Sequence, residues 1–298
     1  MDFGRLITAM VTPFTDDGRL DETGLQKLVD HLIAMGTTAL VAAGTTGESP
    51  VLSHEEKLRL FELTLHFADG RVPVIAGTGT NSTGDSIQLS KEAAQLGVQG
   101  LLLVAPYYNK PSQEGLYAHF SAVAKAVSLP IMIYNIPGRC GVNIEVNTLL
   151  RLVQVPNIIA IKEASGNMTQ IMELAAFKPD DVFLYSGDDK LTLPVLSVGG
   201  YGVVSVASHL VGQEMTRLIH AHLAGEVAVA AEWSARLLPL FEALFHSSSP
   251  APLKSALRDL GLPGGGVRLP LVEAPEAVQL EVRQQLEILG KLPRGPLA

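Results

Sequence analysis

Short runs of Val, Ile and Leu, bounded by Gly or Pro and followed by segments long enough for a helix, recur eight times along the chain. They are Leu6–Val11, Ala39–Ala43, Val74–Ala76, Leu101–Ala105, Ile131–Tyr134, Ile158–Ile161, Val182–Tyr185 and Val203–Val206. None alternates strictly between apolar and polar residues, as expected of strands buried on both faces of a parallel sheet. Their starts lie 20 to 35 residues apart, which leaves room for a crossover helix in every gap. The gaps read as helices. Asp21–Met35 places Leu25, Leu28, Val29, Leu32 and Ile33 on one face and stops at Gly36. Ser53-His54-Glu55-Glu56 is a capping box ahead of Leu58, Leu60, Phe61 and Leu65. Ser82–Leu96 ends at Gly97, and Ser112–Val127 carries Leu116, Phe120, Val123 and Val127 on one stripe. Weaker helical patterns cover 145–153, 167–176 and 188–198.

Eight strands alternating with helices fit a (β/α)8 barrel or a doubly wound open sheet. The count of eight and the lack of a linker favour the barrel, an α/β fold expected over residues 1–225. Val211–Leu223, Val227–Phe245, Pro252–Leu260 and Ala274–Leu289 read as further helices, so a C-terminal α-helical domain is expected over 226–298. Apolar residues make up 47% of the 298 and charged residues 17%, which fits a folded globular chain. The net charge of −8 speaks against a nucleic-acid or anionic-membrane partner. A lone cysteine, Cys140, excludes an internal disulfide framework and a cysteine-cluster metal site. It also fits a reducing compartment. No apolar run approaches a membrane span, and Met1-Asp2-Phe3-Gly4-Arg5 does not open a secretory leader, so a cytoplasmic location is expected.

In a barrel, reactive groups gather where the strands end. The second run is followed by Gly44-Thr45-Thr46-Gly47-Glu48, the fourth by Pro106-Tyr107-Tyr108-Asn109, and the seventh by Ser186-Gly187-Asp188-Asp189. The fifth ends in Tyr134-Asn135-Ile136-Pro137-Gly138-Arg139 and the sixth in Lys162-Glu163. If Lys162 points into the barrel, alternation turns small Ala160 inward beneath it and Ile161 toward the helices. An ammonium held there is poorly hydrated, so its pKa falls and a free amine becomes available for a Schiff base with a keto acid. The competing reading is a lysine that reaches the rim or pairs with Glu163. Tyr134 is either a proton shuttle beside that amine or a rim aromatic. Thr45 and Thr46 are either turn residues or, flanked by Gly44 and Gly47, part of a carboxylate cradle. Arg139 is either a carboxylate fork or a solvated loop residue. No dinucleotide fingerprint, phosphate-binding loop or HExxH helix is present, and the eight histidines are scattered, so no metal site is expected.

GTTGES (44–49), VIAGTGTN (74–81), PYYNKPSQEGLYAHF (106–120), YNIPGR (134–139), IKEASGN (161–167), SGDD (186–189) and GGYGVVSV (199–206) together resemble the dihydrodipicolinate synthases. These belong to the pyruvate-dependent class I lyases, which also include N-acetylneuraminate lyase. The resemblance implies the barrel, no cofactor, and a Schiff base between Lys162 and pyruvate. It implies a hydroxyl relay of Tyr134, Thr45 and Tyr108, with Tyr108 lent by a neighbouring subunit of a homo-oligomer, commonly a dimer of dimers. Thr46 would bind the pyruvate carboxylate and Arg139 that of aspartate 4-semialdehyde, with Gly187 and Val204 lining the pocket. The alternative within the family is an aldolase for a sugar-derived 2-keto acid. Paired Thr45-Thr46, Tyr107-Tyr108 and Arg139 are of the synthase type, and intact Lys162, Tyr134 and Thr45 argue against a catalytically dead barrel. Where lysine inhibits relatives, the matching positions are Ser49, Pro50, His54, Lys57, Asn81, Asp85 and Tyr107. Lys57 stands where sensitive enzymes carry a histidine, so weak or absent inhibition is expected. Cys140 stands where a threonine is frequent, and the C-terminal tail diverges.

Overall fold

The computed structural model describes residues 2–293. Its strands are β1 (Leu6–Ala9), β2 (Ala39–Ala42), β3 (Val74–Gly77), β4 (Gly100–Val104), β5 (Ile131–Asn135), β6 (Ile158–Glu163), β7 (Phe183–Ser186) and β8 (Gly202–Ser205). Each pairs in parallel with the next, and β8 pairs with β1 to close a barrel in sequence order. The outer helices are α1 (Glu22–Ala34), α2 (His54–Ala68), α3 (Thr83–Leu96), α4 (Gln113–Ala126), α5 (Pro137–Cys140), α6 (Val146–Leu152), α7 (Met168–Phe177), α8 (Thr192–Ser197) and α9 (Ser208–Leu223). Beyond the barrel follow α10 (Val227–Ala243), α11 (Ala251–Asp259) and α12 (Glu276–Ile288).

The first four helices begin where a side chain satisfies an orphan N–H. Asp21, Ser53, Ser82 and Ser112 accept from the N–H groups of Gly24, Glu56, Asp85 and Gly115. Such a cap is worth about 1 kcal/mol. Gly97 ends α3 in the left-handed region, at φ 93°. β1 is shorter than its apolar run because the Val11 N–H donates to His209 Nε2 at 3.1 Å, and this draws the chain out of the sheet. That histidine lies in the first turn of α9, which begins at Ser208 and breaks its helical geometry at Val211. The expected helix from Val211 is the part beyond this break. Arg139, read either as a carboxylate fork or as a solvated loop residue, lies on α5, a single turn started by Pro137.

The apolar side chains divide into two cores. Leu40, Leu101, Ile133, Ile161 and Leu184 point outward and pack under the helices. Ile7, Val41, Ile75, Leu102, Met132, Ala160, Tyr185 and Val204 fill the barrel. The N-terminal end is plugged: a Cβ on Gly100 would lie 2.5 Å from the Phe3 ring, and the Tyr185 hydroxyl donates to the Gly4 carbonyl at 2.9 Å. The open end is therefore the one where the strands finish. α10 packs on α9 and α12, and α12 also packs on α11. Ala251–Leu257 of α11 are buried without interruption. Among the described residues, no helix is long and apolar enough to cross a membrane.

Candidate active site

Lys162 and Tyr134 are neighbours by register, on β6 and β5. Both are buried, at 5% and 3% exposure, and the Lys162 Nζ lies 4.0 Å from the centre of the Tyr134 ring. A bulge decides this direction. Ile131 pairs with Ile158 but Met132 pairs with Ala160, so Ile159 is an extra residue on β6. Ile158 faces the helices, and after the bulge Ala160 faces the barrel and Ile161 faces out. Lys162, one step on, faces inward above Ala160. Burial pulls its ammonium down to about 7, with the Asp189 carboxylate pulling it up and Arg139 pressing it further down. Far more of the amine is then neutral at pH 7 than in an exposed lysine. Burial also pushes the Tyr134 phenol up, with Arg139 and then the Thr45 hydroxyl pulling the other way.

A cavity of about 320 Å³ opens at this end, lined by Gly44, Thr45, Tyr107, Tyr134, Arg139 and Cys140 among others. The loop from Gly44 to Glu48 is a tight turn. The Gly47 and Ser49 N–H groups donate to the Gly44 carbonyl, and that of Glu48 donates to the Thr45 carbonyl. The Thr12 hydroxyl donates to the Gly47 carbonyl at 2.7 Å. Among the described residues, neither the Thr45 nor the Thr46 N–H has an acceptor, which leaves two donors for an anion. Thr46 is buried and Thr45 is half-buried. Arg139 is exposed and also borders a second cavity of about 440 Å³, with Gly187, Asp188, Lys190, Glu242 and Phe245. Arg139 therefore stands between an inner and an outer chamber.

Gly187 is small for a reason. A Cβ there would lie 2.8 Å from the Ala164 Cβ, 3.0 Å from the Lys162 Cε and 3.1 Å from its Cγ. Val204 is buried within the barrel. Tyr108 is apart from the others: it is 88% exposed, with φ 73°, and only its neighbour Tyr107 lines the cavity of its own subunit. Of the residues matched to lysine inhibition, the Tyr107 hydroxyl lies against the Asn81 backbone, with Asp85 near it. Burial pulls the Lys57 ammonium down while Asp85 pulls it up. His54 points elsewhere, 2.6 Å from Glu92.

The sequence model of the dihydrodipicolinate synthetase family matches residues 2–289. This chain belongs to that family. A 4-hydroxy-tetrahydrodipicolinate synthase of Moorella thermoacetica is 53% identical over 98% of this chain and 100% of its own length. The crystal structure of a dihydrodipicolinate synthase from Bacillus anthracis superposes with a TM-score of 0.95. It is 48% identical, covering 99% of this chain and all of the other. One from Cyanidioschyzon merolae, solved with lysine bound, has a TM-score of 0.96. It is 46% identical and covers 97% of this chain and 99% of its own.

Sequence reasoning about this member of the dihydrodipicolinate synthetase family missed two buried charges next to the site. Asp189 is 3% exposed. Its Oδ2 accepts the Val206 and Ala207 N–H groups at 3.0 and 2.9 Å, and its Oδ1 has no partner among the described residues. Burial pushes its carboxyl up. The second is Glu48, whose partner Lys254 comes from α11. Both carboxylates stand in segments placed at the rim, but an Asp in a turn and a Lys in an amphipathic helix read as surface residues, so nothing local marked their burial or partners.

Proposed function

We propose that this chain condenses pyruvate with L-aspartate 4-semialdehyde through a Schiff base on Lys162, giving 4-hydroxy-tetrahydrodipicolinate in the diaminopimelate route to lysine. It is a lyase of the Schiff-base aldolase type. One observation carries the reading: a lysine amine drawn to about 7 by burial, against a phenol, at the open end of the barrel. The neutral amine attacks the pyruvate carbonyl, and loss of water leaves the imine. Loss of a methyl proton gives the enamine, whose carbon attacks the aldehyde of the second substrate. The new alkoxide takes up a proton. The substrate amine then adds to the imine carbon, closes the ring and expels the Lys162 amine.

Tyr134 moves the protons of these steps, with Thr45 and with Tyr108 completing the path to solvent. The high pKa of the buried phenol keeps it protonated and ready to donate. Thr46 and the free N–H groups of its loop take the pyruvate carboxylate, and Arg139 takes that of the semialdehyde. Gly187 and Val204 shape the pocket. The exposure of Tyr108 supports a role across an interface with a second copy, in a homo-oligomer built as a dimer of dimers in the cytoplasm. We place the division between a barrel over 1–225 and a helical domain over 226–298 at Gly225, between α9 and α10; residues 1 and 294–298 lie outside the described ones.

The Ser49, Pro50, His54, Lys57, Asn81, Asp85 and Tyr107 positions form a poor lysine site. The Lys57 ammonium already has Asp85 beside it, and it faces a ligand carrying two ammonium groups of its own. Like charges a few ångströms apart cost about 1–4 kcal/mol between bulk-water and surface dielectrics. That is a loss of affinity of about five-fold to several hundred-fold. Inhibition by lysine is therefore expected to be weak or absent, and half-inhibition well below a millimolar would contradict this. The function itself is tested with pyruvate plus aspartate semialdehyde against a panel of sugar-derived aldehydes, together with borohydride trapping of pyruvate. Turnover of the semialdehyde and a single adduct at Lys162 are expected. Preference for a sugar-derived aldehyde, or an adduct on another lysine, overturns the reading.

A further inference from the structure

Among the described residues, one salt bridge has both partners fully buried. Glu48 Oε1 lies 2.6 Å from Lys254 Nζ, and the side chains are 1% and 0% exposed. Glu48 closes the loop that carries Thr45 and Thr46, and its backbone is left-handed, at φ 56°. Ala43, at the other end of the loop, is left-handed too, at φ 52°. Residues with a Cβ seldom adopt this conformation unless their surroundings hold them there. In Glu48 it aims the N–H at the Thr45 carbonyl, 3.1 Å away. The side chain is held twice from the C-terminal region. The Lys254 ammonium of α11 lies against Oε1 as an ion pair outside hydrogen-bond geometry, and the Arg268 N–H donates to Oε2 at 3.0 Å. Lys254 is itself fixed, donating to the Gly266 carbonyl at 2.7 Å and lying 4.3 Å from the centre of the Phe14 ring. Burial draws its ammonium down to about 8, and the Glu48 carboxylate pulls it the other way.

A buried ion pair rarely adds net stability over an apolar pair of the same size. What it supplies is a fixed place: with the Lys254 ammonium 2.6 Å from Oε1 and the Arg268 N–H hydrogen-bonded to Oε2, the Glu48 carboxylate, and with it the loop backbone, is tied to the C-terminal region. We propose that Lys254 is a positioning residue for pyruvate: through Glu48 it holds the Thr45–Thr46 loop in the geometry that receives the pyruvate carboxylate. The C-terminal helices thereby take part in the first half of the reaction. This inference rests on the Schiff-base reading above and adds to it a residue from outside the barrel.

The test uses the full-length enzyme with Lys254→Met, Glu48→Gln and the double variant of both. Lys254→Met strands a carboxylate, whereas Glu48→Gln leaves a lysine that escapes by shedding its proton, so the second variant keeps the test alive if the first does not fold. The double variant carries neither charge of this pair and regains melting temperature. The readouts are the pyruvate concentration for half-maximal borohydride trapping, the KM for aspartate semialdehyde, and the melting temperature. Pyruvate half-saturation should rise tenfold or more in every folded variant, with the semialdehyde KM within twofold of the parent. In the double variant that rise should persist although the melting temperature recovers. Half-saturation within twofold of the parent, or its return as melting temperature recovers, overturns the inference. A parent enzyme that does not trap pyruvate at Lys162 overturns the Schiff-base reading instead.

Discussion

Gly187→Ala places one methyl group against the reactive lysine. The new Cβ would meet the Lys162 side chain at two points, Cε at 3.0 Å and Cγ at 3.1 Å, and the Ala164 Cβ at 2.8 Å. Carbon atoms rest at about 3.5–4.0 Å, so each contact is short by roughly 0.5–1 Å. The Ala164 contact does not yield without a shift of backbone at the end of β6. Clearing both lysine contacts takes a turn about its Cα–Cβ bond, which swings the whole side chain and displaces Nζ with it. The strain should cost about 1–3 kcal/mol of stability, the usual range for one methylene too many in a packed site. The larger effect is on the amine. A misplacement of about 1 Å at a reacting atom lowers a rate by about 10²-fold. Single-turnover borohydride trapping with saturating pyruvate should therefore slow by 10- to 100-fold, while circular dichroism stays that of the parent. A trapping rate within threefold of the parent would refute this account of why residue 187 is a glycine.

Four further outcomes follow from the same geometry. The Asp189 carboxylate favours the Lys162 ammonium, so Asp189→Asn should move the pH midpoint of trapping below the value near 7 expected of the parent; a shift toward higher pH contradicts the assignment. Lys162→Met should abolish turnover yet raise stability. Burial holds the folded lysine near 7 against 10.5 when unfolded. The unfolded chain therefore binds the extra proton between those values, and the cost of the buried charge is fully present below pH 7 and fades as pH rises toward 10.5. The gain in melting temperature should be largest at or below pH 7 and vanish near pH 10.5. Arg139→Ala should raise the KM for aspartate semialdehyde and leave trapping intact, whereas Tyr134→Phe should lower kcat by about 10²-fold or more; steady-state kinetics beside trapping separate the two.

The eight apolar runs, their spacing and the caps at Asp21, Ser53, Ser82 and Ser112 were enough to read a barrel and the starts of its first four helices. Both signals are local: burial on two faces forces continuous apolar runs, and an orphan N–H selects a short polar side chain. Because strand ends share one rim, the same reading placed Thr45, Tyr134, Arg139 and Lys162 together. The direction of Lys162 was not local. Counted from outward-facing Ile158 without interruption, Lys162 would face the helices; the bulge at Ile159 turns it into the barrel, and that bulge exists only in the pairing with β5. The buried charges are a matter of tertiary structure for the same reason. Asp189 is drawn under the site by the N–H groups of Val206 and Ala207, and Glu48 is held by Lys254 from a helix in the last fifth of the chain. Desolvation depends on everything packed around a group, so the drop of the Lys162 ammonium to about 7 belongs to the closed barrel and to no segment of it.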